Sequence, residues 1–133
     1  MAGHANTLKS ALDNRSDIQS AADSFLDLLS QSGYWWTAAE KIAIAEETRL
    51  ANRCLLCQER KAALSRSHIQ GQHPPSPLLG EEVIGIVHQI ITDQGRITRS
   101  QLDALEANGL SRLAYVELVG VVVCLFSIDE FHR

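Results

Sequence analysis

The stretch Trp36-Thr37-Ala38-Ala39-Glu40-Lys41-Ile42-Ala43-Ile44-Ala45, running on through Leu50-Ala51 to Cys54-Leu55-Leu56-Cys57, decides the fold class. Thr37 followed three residues later by Glu40 is a reciprocal helix cap: the hydroxyl accepts from a first-turn amide and the carboxylate reaches back to the cap's own N–H. Trp36 stands just before it, in the position of a hydrophobic staple. Alanine, leucine, glutamate and lysine dominate the residues after the cap, and such side chains lose little freedom in a helix. The pattern predicts helix from Thr37 to about Ser65. Asn52-Arg53 is its one weak spot, so one helix and two are both compatible with it.

Helical signals continue on either side. Upstream, Ser16 is placed to cap a helix with apolar positions at Ile18, Ala21, Ala22, Phe25, Leu28 and Leu29, stopped by Gly33. Downstream, Ser67 to Pro77 holds Gly71, Pro74, Pro75 and Pro77, a joint that neither a helix nor a central strand accommodates. Beyond it, helices are expected over Glu81–Ile91, Thr98–Ala107 (ending at Asn108-Gly109) and from the cap Ser111 onward. Val121, Val122 and Val123 would suit a strand, but Tyr115, Leu118, Val119, Val122 and Phe126 form a helical stripe and no partner strand is evident. The fold class is all-α.

At 133 residues the chain suits a single domain: N-terminal helices over 1–66, a Gly/Pro-rich loop over 67–79 and C-terminal helices over 80–133. Neither half would close a core alone, so the halves should pack together. Apolar residues make up 45% and charged residues 21%, a globular balance. Twelve basic against sixteen acidic residues give a net charge of −4, which argues against nucleic acid as a partner. The longest nearly apolar run, Leu118 to Ile128, is eleven residues, short of the ~20 that span a membrane. The first residues carry no basic-then-apolar pattern of a secretory signal, and three cysteines do not make a disulfide framework. A cytoplasmic location is expected.

The chemistry centres on Arg53-Cys54-Leu55-Leu56-Cys57-Gln58-Glu59-Arg60-Lys61. Two cysteines three residues apart on a helical turn approach disulfide distance without large backbone movement. Neighbouring positive charge favours the thiolate, the reactive form. The same spacing also describes two small core residues. Glu40, Glu47, Cys54 and Lys61 recur at intervals of seven and would share a face of one continuous helix, with Glu46 near the angular position of Cys57. A carboxylate there could activate a thiol, although most such glutamates form a solvated face. A metal alternative exists: Cys54-x2-Cys57, ten residues, His68, four residues, then His73 approaches the Cys2His2 spacing of a zinc site. His88, between Val87 and Ile90, reads as a partly buried helix residue, and Cys124, between Val123 and Leu125, as a core thiol.

The order of these features resembles the alkylhydroperoxidase D-like, peroxidase-related branch of the carboxymuconolactone decarboxylase family. The resemblance rests on Glu40 opening Lys41-Ile42-Ala43-Ile44-Ala45, on the C-x-x-C pair, and on Gly109-Leu110-Ser111 through Tyr115-Val116-Glu117-Leu118-Val119 to Phe131. It implies an alkylhydroperoxidase D-like helical bundle assembled as a trimer or hexamer. The activity it implies is thiol-dependent reduction of hydroperoxides, with no cofactor beyond a redox-active Cys54–Cys57 disulfide and with a dithiol reductant as partner. By resemblance Cys57 is the cysteine oxidised to a sulfenic acid and Cys54 resolves it. Glu40 matches the family acid by its place at the helix start, with Glu47 as rival. Lys61 stands where the family carries a histidine, so His132 or His68 would supply the proton relay. The alternatives are a carboxymuconolactone decarboxylase-like lyase and a non-enzymatic helical module whose cysteines bind zinc or pack.

Overall fold

The computed structural model describes residues 16–132. Among them lie six α-helices and no strand: α1 (Ser16–Leu29), α2 (Ala38–Ala51), α3 (Leu55–Ala62), α4 (Glu81–Thr92), α5 (Arg99–Ala107) and α6 (Arg112–Phe131). Single turns of 3-10 helix at Arg66–His68 and Gln94–Arg96 bracket α4 and its preceding loop. The two halves expected from the sequence pack together, with α2 crossing both α4 and α6.

The cap of α2 forms as its sequence dictates. Thr37 Oγ1 accepts from Glu40 N–H at 3.1 Å, and Glu40 Oε1 accepts from Thr37 N–H at 3.0 Å. Trp36 does more than staple this end. Its indole N–H donates to the Ala114 carbonyl at 2.9 Å, and the Glu117 carboxylate accepts the backbone N–H groups of Tyr34, Trp35 and Trp36 at 2.8, 3.1 and 2.9 Å. The turn entering α2 is thereby fixed to α6.

The core is Ile44 of α2, Ile84, Ile86 and Val87 of α4, and Leu118, Val121 and Val122 of α6, all buried. Their enclosure explains why the valine-rich segment is helical: a 20-residue helix lays its apolar stripe on α2 and α4, and this packing outweighs a modest β preference. Among the described residues no single helix is long and apolar enough to cross a membrane. At the end of α5, Gly109 takes φ +104°, where a side chain would be strained, and Leu110 N–H returns to the Leu105 carbonyl at 2.9 Å.

Helix α2 stops at Asn52, and α3 restarts after Cys54, whose backbone is extended. Ala51 and Cys57 are both fully buried. On one straight helix they would point about 120° apart, so the break lets both turn inward. The Glu40-Glu47-Cys54-Lys61 face of a continuous helix therefore does not exist. A second expectation is corrected too: Cys124 is exposed, on the outer side of α6 rather than in the core. Trp36 and much of the apolar α6 segment lie in this chain's own core, leaving Tyr34, Trp35, Leu113, Val116, Val123 and Phe131 as the large apolar side chains exposed around them.

Candidate functional site

Cys54 and Cys57 sit at the start of α3, Cys54 as its N-cap residue and Cys57 within the first turn. Cys57 is completely buried, while Cys54 keeps partial solvent access. Two histidines from other elements close on Cys57. His73, on the irregular segment between α3 and α4, places Nε2 3.3 Å from the sulfur; His88, on the inner face of α4, places Nδ1 at 3.6 Å. The two rings lie 4.3 Å apart, centroid to centroid.

Each ring is held from behind by a carboxylate. Glu47 of α2 meets His88 Nε2 at 2.7 Å, and Glu81, first residue of α4, meets His73 Nδ1 at 2.9 Å while also accepting the His73 backbone N–H. A carboxylate only accepts, so the nitrogen facing it carries the proton, and a neutral ring presents its other nitrogen to the sulfur as a lone pair. Both histidines thus aim a proton acceptor at one thiol, and a single S–H cannot satisfy both.

Burial, reinforced by the neighbouring Cys54, pushes the Cys57 thiol up to about 11. Burial also lowers the His88 pKa against the opposing pull of Glu47, so this ring is neutral around pH 7. At rest the site holds a protonated thiol beside strong hydrogen-bond acceptors, not a free thiolate.

The segment bearing His73 has no regular structure of its own and is fixed from both sides. The Arg60 guanidinium donates to the Ile69 and Gly71 carbonyls at 3.2 and 2.9 Å. Gly71 takes φ +155°, a backbone conformation that L side chains rarely adopt, and a side chain there would also displace the Leu56 methyl at 2.9 Å. At the far end of α3, Arg96 donates to the carbonyls of Arg60, Lys61 and Ala63, and Asp93 ties Arg96 to Arg66 at 2.8 and 2.9 Å. The cysteine helix is clamped at its C-terminus by charge.

Of the residues singled out from the sequence, the structure gathers Cys54, Cys57, Glu47 and His73. Glu40 is committed to the cap of α2. Lys61 and His68 are exposed, on α3 and on a 3-10 turn, and His132 is exposed at the end of α6, bordering a groove with Ile18 and Phe25. The metal alternative is corrected in one member: the set that converges is Cys54, Cys57, His73 and His88, with all four donor atoms within 4.8 Å of one another, and His68 lies outside it. His88 and Glu81 carry no sequence signal of their role. A lone histidine on an apolar helix face is ordinarily a core residue, and its partner Glu47 lies 41 positions away.

Fold and site define an all-helical protein with a cysteine pair, one member buried and one partly exposed, faced by two carboxylate-backed histidines. Compared with known proteins, the chain matches no family model, no curated sequence and no solved structure.

Proposed function

We propose that this protein is a thiol-dependent peroxidase with an alkylhydroperoxidase D-like bundle, reducing hydroperoxides through Cys54 and Cys57. The observation that carries the reading is the placement of His73 Nε2, backed by Glu81, 3.3 Å from the Cys57 sulfur. A thiol held protonated by burial needs a base at the moment of attack, and this geometry supplies one.

In the proposed cycle His73 takes the Cys57 proton as the sulfur attacks the terminal peroxide oxygen. The O–O bond breaks, the departing alkoxide receives the proton back and leaves as an alcohol, and Cys57 becomes a sulfenic acid. Glu81 stabilises the transient imidazolium. The Cys54 thiol then attacks the oxidised sulfur, water leaves, and the disulfide forms. An external dithiol attacks first at Cys54, the sulfur that solvent reaches, expels Cys57 as thiol and completes the reduction by a second exchange. In this reading Glu47, rather than Glu40, is the acid of the α2 helix that serves the site, and His73 takes the place that Lys61 leaves without a base.

Peptide mapping after graded hydrogen peroxide, in a Cys124→Ser background because Cys124 is exposed, tests this directly. A Cys54–Cys57 disulfide is expected, and with Cys54→Ser a trappable sulfenic acid on Cys57. If both cysteines stay reduced the proposal fails. A sulfenic acid on Cys54 in the Cys57→Ser variant would reverse their roles.

A further inference from the structure

We infer that Cys54, Cys57, His73 and His88 together bind one tetrahedral Zn2+ ion. Two sulfurs and two imidazole nitrogens are the donor set that zinc favours among the divalent cations. A zinc ion with ordinary Zn–S and Zn–N bonds sets its ligand atoms about 3.3–3.8 Å apart. The Cys57 sulfur already stands 3.3 and 3.6 Å from the two nitrogens, and all four donor atoms fall within 4.8 Å of one another. Closing onto an ion needs only small movements of the four side chains.

The surroundings match a metal centre beyond the four ligands. Each histidine gives its outer nitrogen to a carboxylate, Glu47 for His88 and Glu81 for His73, the arrangement that fixes the tautomer and orientation of metal-binding imidazoles. Four inward-facing electron-pair donors share at most two protons, those of the two thiols. A cation that displaces both protons satisfies all four at once. The ligands come from the start of α3, the loop before α4, and α4 itself, so the ion would bind three elements together. With four protein ligands the centre is closed, which marks a structural or switching site rather than one with an open catalytic position.

Metal binding stands apart from the peroxidase proposal, but the two meet on the same sulfurs. In the zinc form the Cys57 lone pairs are engaged and attack on peroxide is slowed. Two-electron oxidation of the bound thiolates by hydrogen peroxide, consuming two protons and releasing two waters, forms the disulfide and expels the ion. The zinc form is a masked reserve of the dithiol.

The test is anaerobic titration of the reduced, chelator-treated full chain with Co2+, then with Zn2+. Expected are one equivalent of cobalt with the visible bands of a tetrahedral cobalt–thiolate centre, bleached as zinc displaces it. His88→Ala should abolish the bands and His68→Ala should leave them intact. Glu47→Gln, which keeps every ligand, should weaken binding about 10–100-fold. A reduced wild-type chain that is helical by circular dichroism yet shows no cobalt–thiolate bands overturns the inference. So do bands that survive His88→Ala and vanish with His68→Ala. Disulfide formation without cobalt binding would sink the metal site alone, and cobalt binding without disulfide formation would sink the peroxidase alone.

Discussion

Replacing His73 by alanine isolates the contribution of the base at Cys57. With its thiol pushed up to about 11, Cys57 has about one part in ten thousand as thiolate at pH 7, against about 3% for an unperturbed cysteine. Without a base, oxidation through that residual thiolate should run about 300-fold slower than for an ordinary thiol. Positioned general bases contribute 10²–10⁴-fold, so His73→Ala should slow sulfenic acid formation by about 10²-fold or more. The shift has a definite sign: a raised thiol pKa keeps the neutral form dominant from pH 7 to pH 10. The variant's rate should therefore rise about tenfold per pH unit, a steeper dependence than that of the wild type, which has a base in place. His88→Ala should cost less, since its nitrogen is farther at 3.6 Å and burial lowers that ring's basicity. The assay is stopped-flow trapping of the sulfenic acid in metal-free Cys54→Ser/Cys124→Ser protein, which keeps burial, the largest cause of the raised thiol pKa, and compares His73→Ala with its own parent. A His73→Ala rate within about twofold of its parent, with an unchanged pH profile, would refute the reasoning.

Asp93→Asn removes the anion that joins Arg66 to Arg96. Burial by itself would raise the Asp93 pKa, but the hydrogen bonds from both guanidinium groups outweigh it and hold the carboxyl below the usual carboxylate range. Its stabilisation is thus present above about pH 4 and lost as pH falls through the depressed value. The substitution should cost about 1–2 kcal/mol near neutrality, since both guanidinium groups keep solvent access, with the gap to wild type narrowing in acid, as measured by urea unfolding across pH; a constant gap would contradict the assignment. Tyr34, Trp35, Leu113 and Val116 expose apolar surface near the Glu117 contact, a patch that would suit the homo-oligomer implied by the family resemblance. Sedimentation equilibrium should give a trimer or hexamer that Val116→Glu dissociates, and a 14.6 kDa monomer at micromolar concentration would exclude it.

Features that depend only on neighbours along the chain are legible in the residues alone. The capping box at Thr37 and Glu40, the stop at Gly109 and the Ser111 cap are local hydrogen-bond and backbone requirements, independent of packing. The Gly/Pro joint is legible for the same reason. Packing between helices settles the rest. Whether Asn52 breaks the helix depends on Ala51 and Cys57 both needing burial in one core. Which face of α6 is enclosed depends on where α2 and α4 lie, which is why Cys124 is exposed beside buried Val122 and Leu125. The site shows the division most clearly. Its C-x-x-C pair is written in four consecutive residues, but His73 and His88 reach the same sulfur only because Glu81 anchors the loop and α2 packs Glu47 against α4. Periodicity records the face of a helix on which a side chain lies, and carries no information about what the next helix places opposite it.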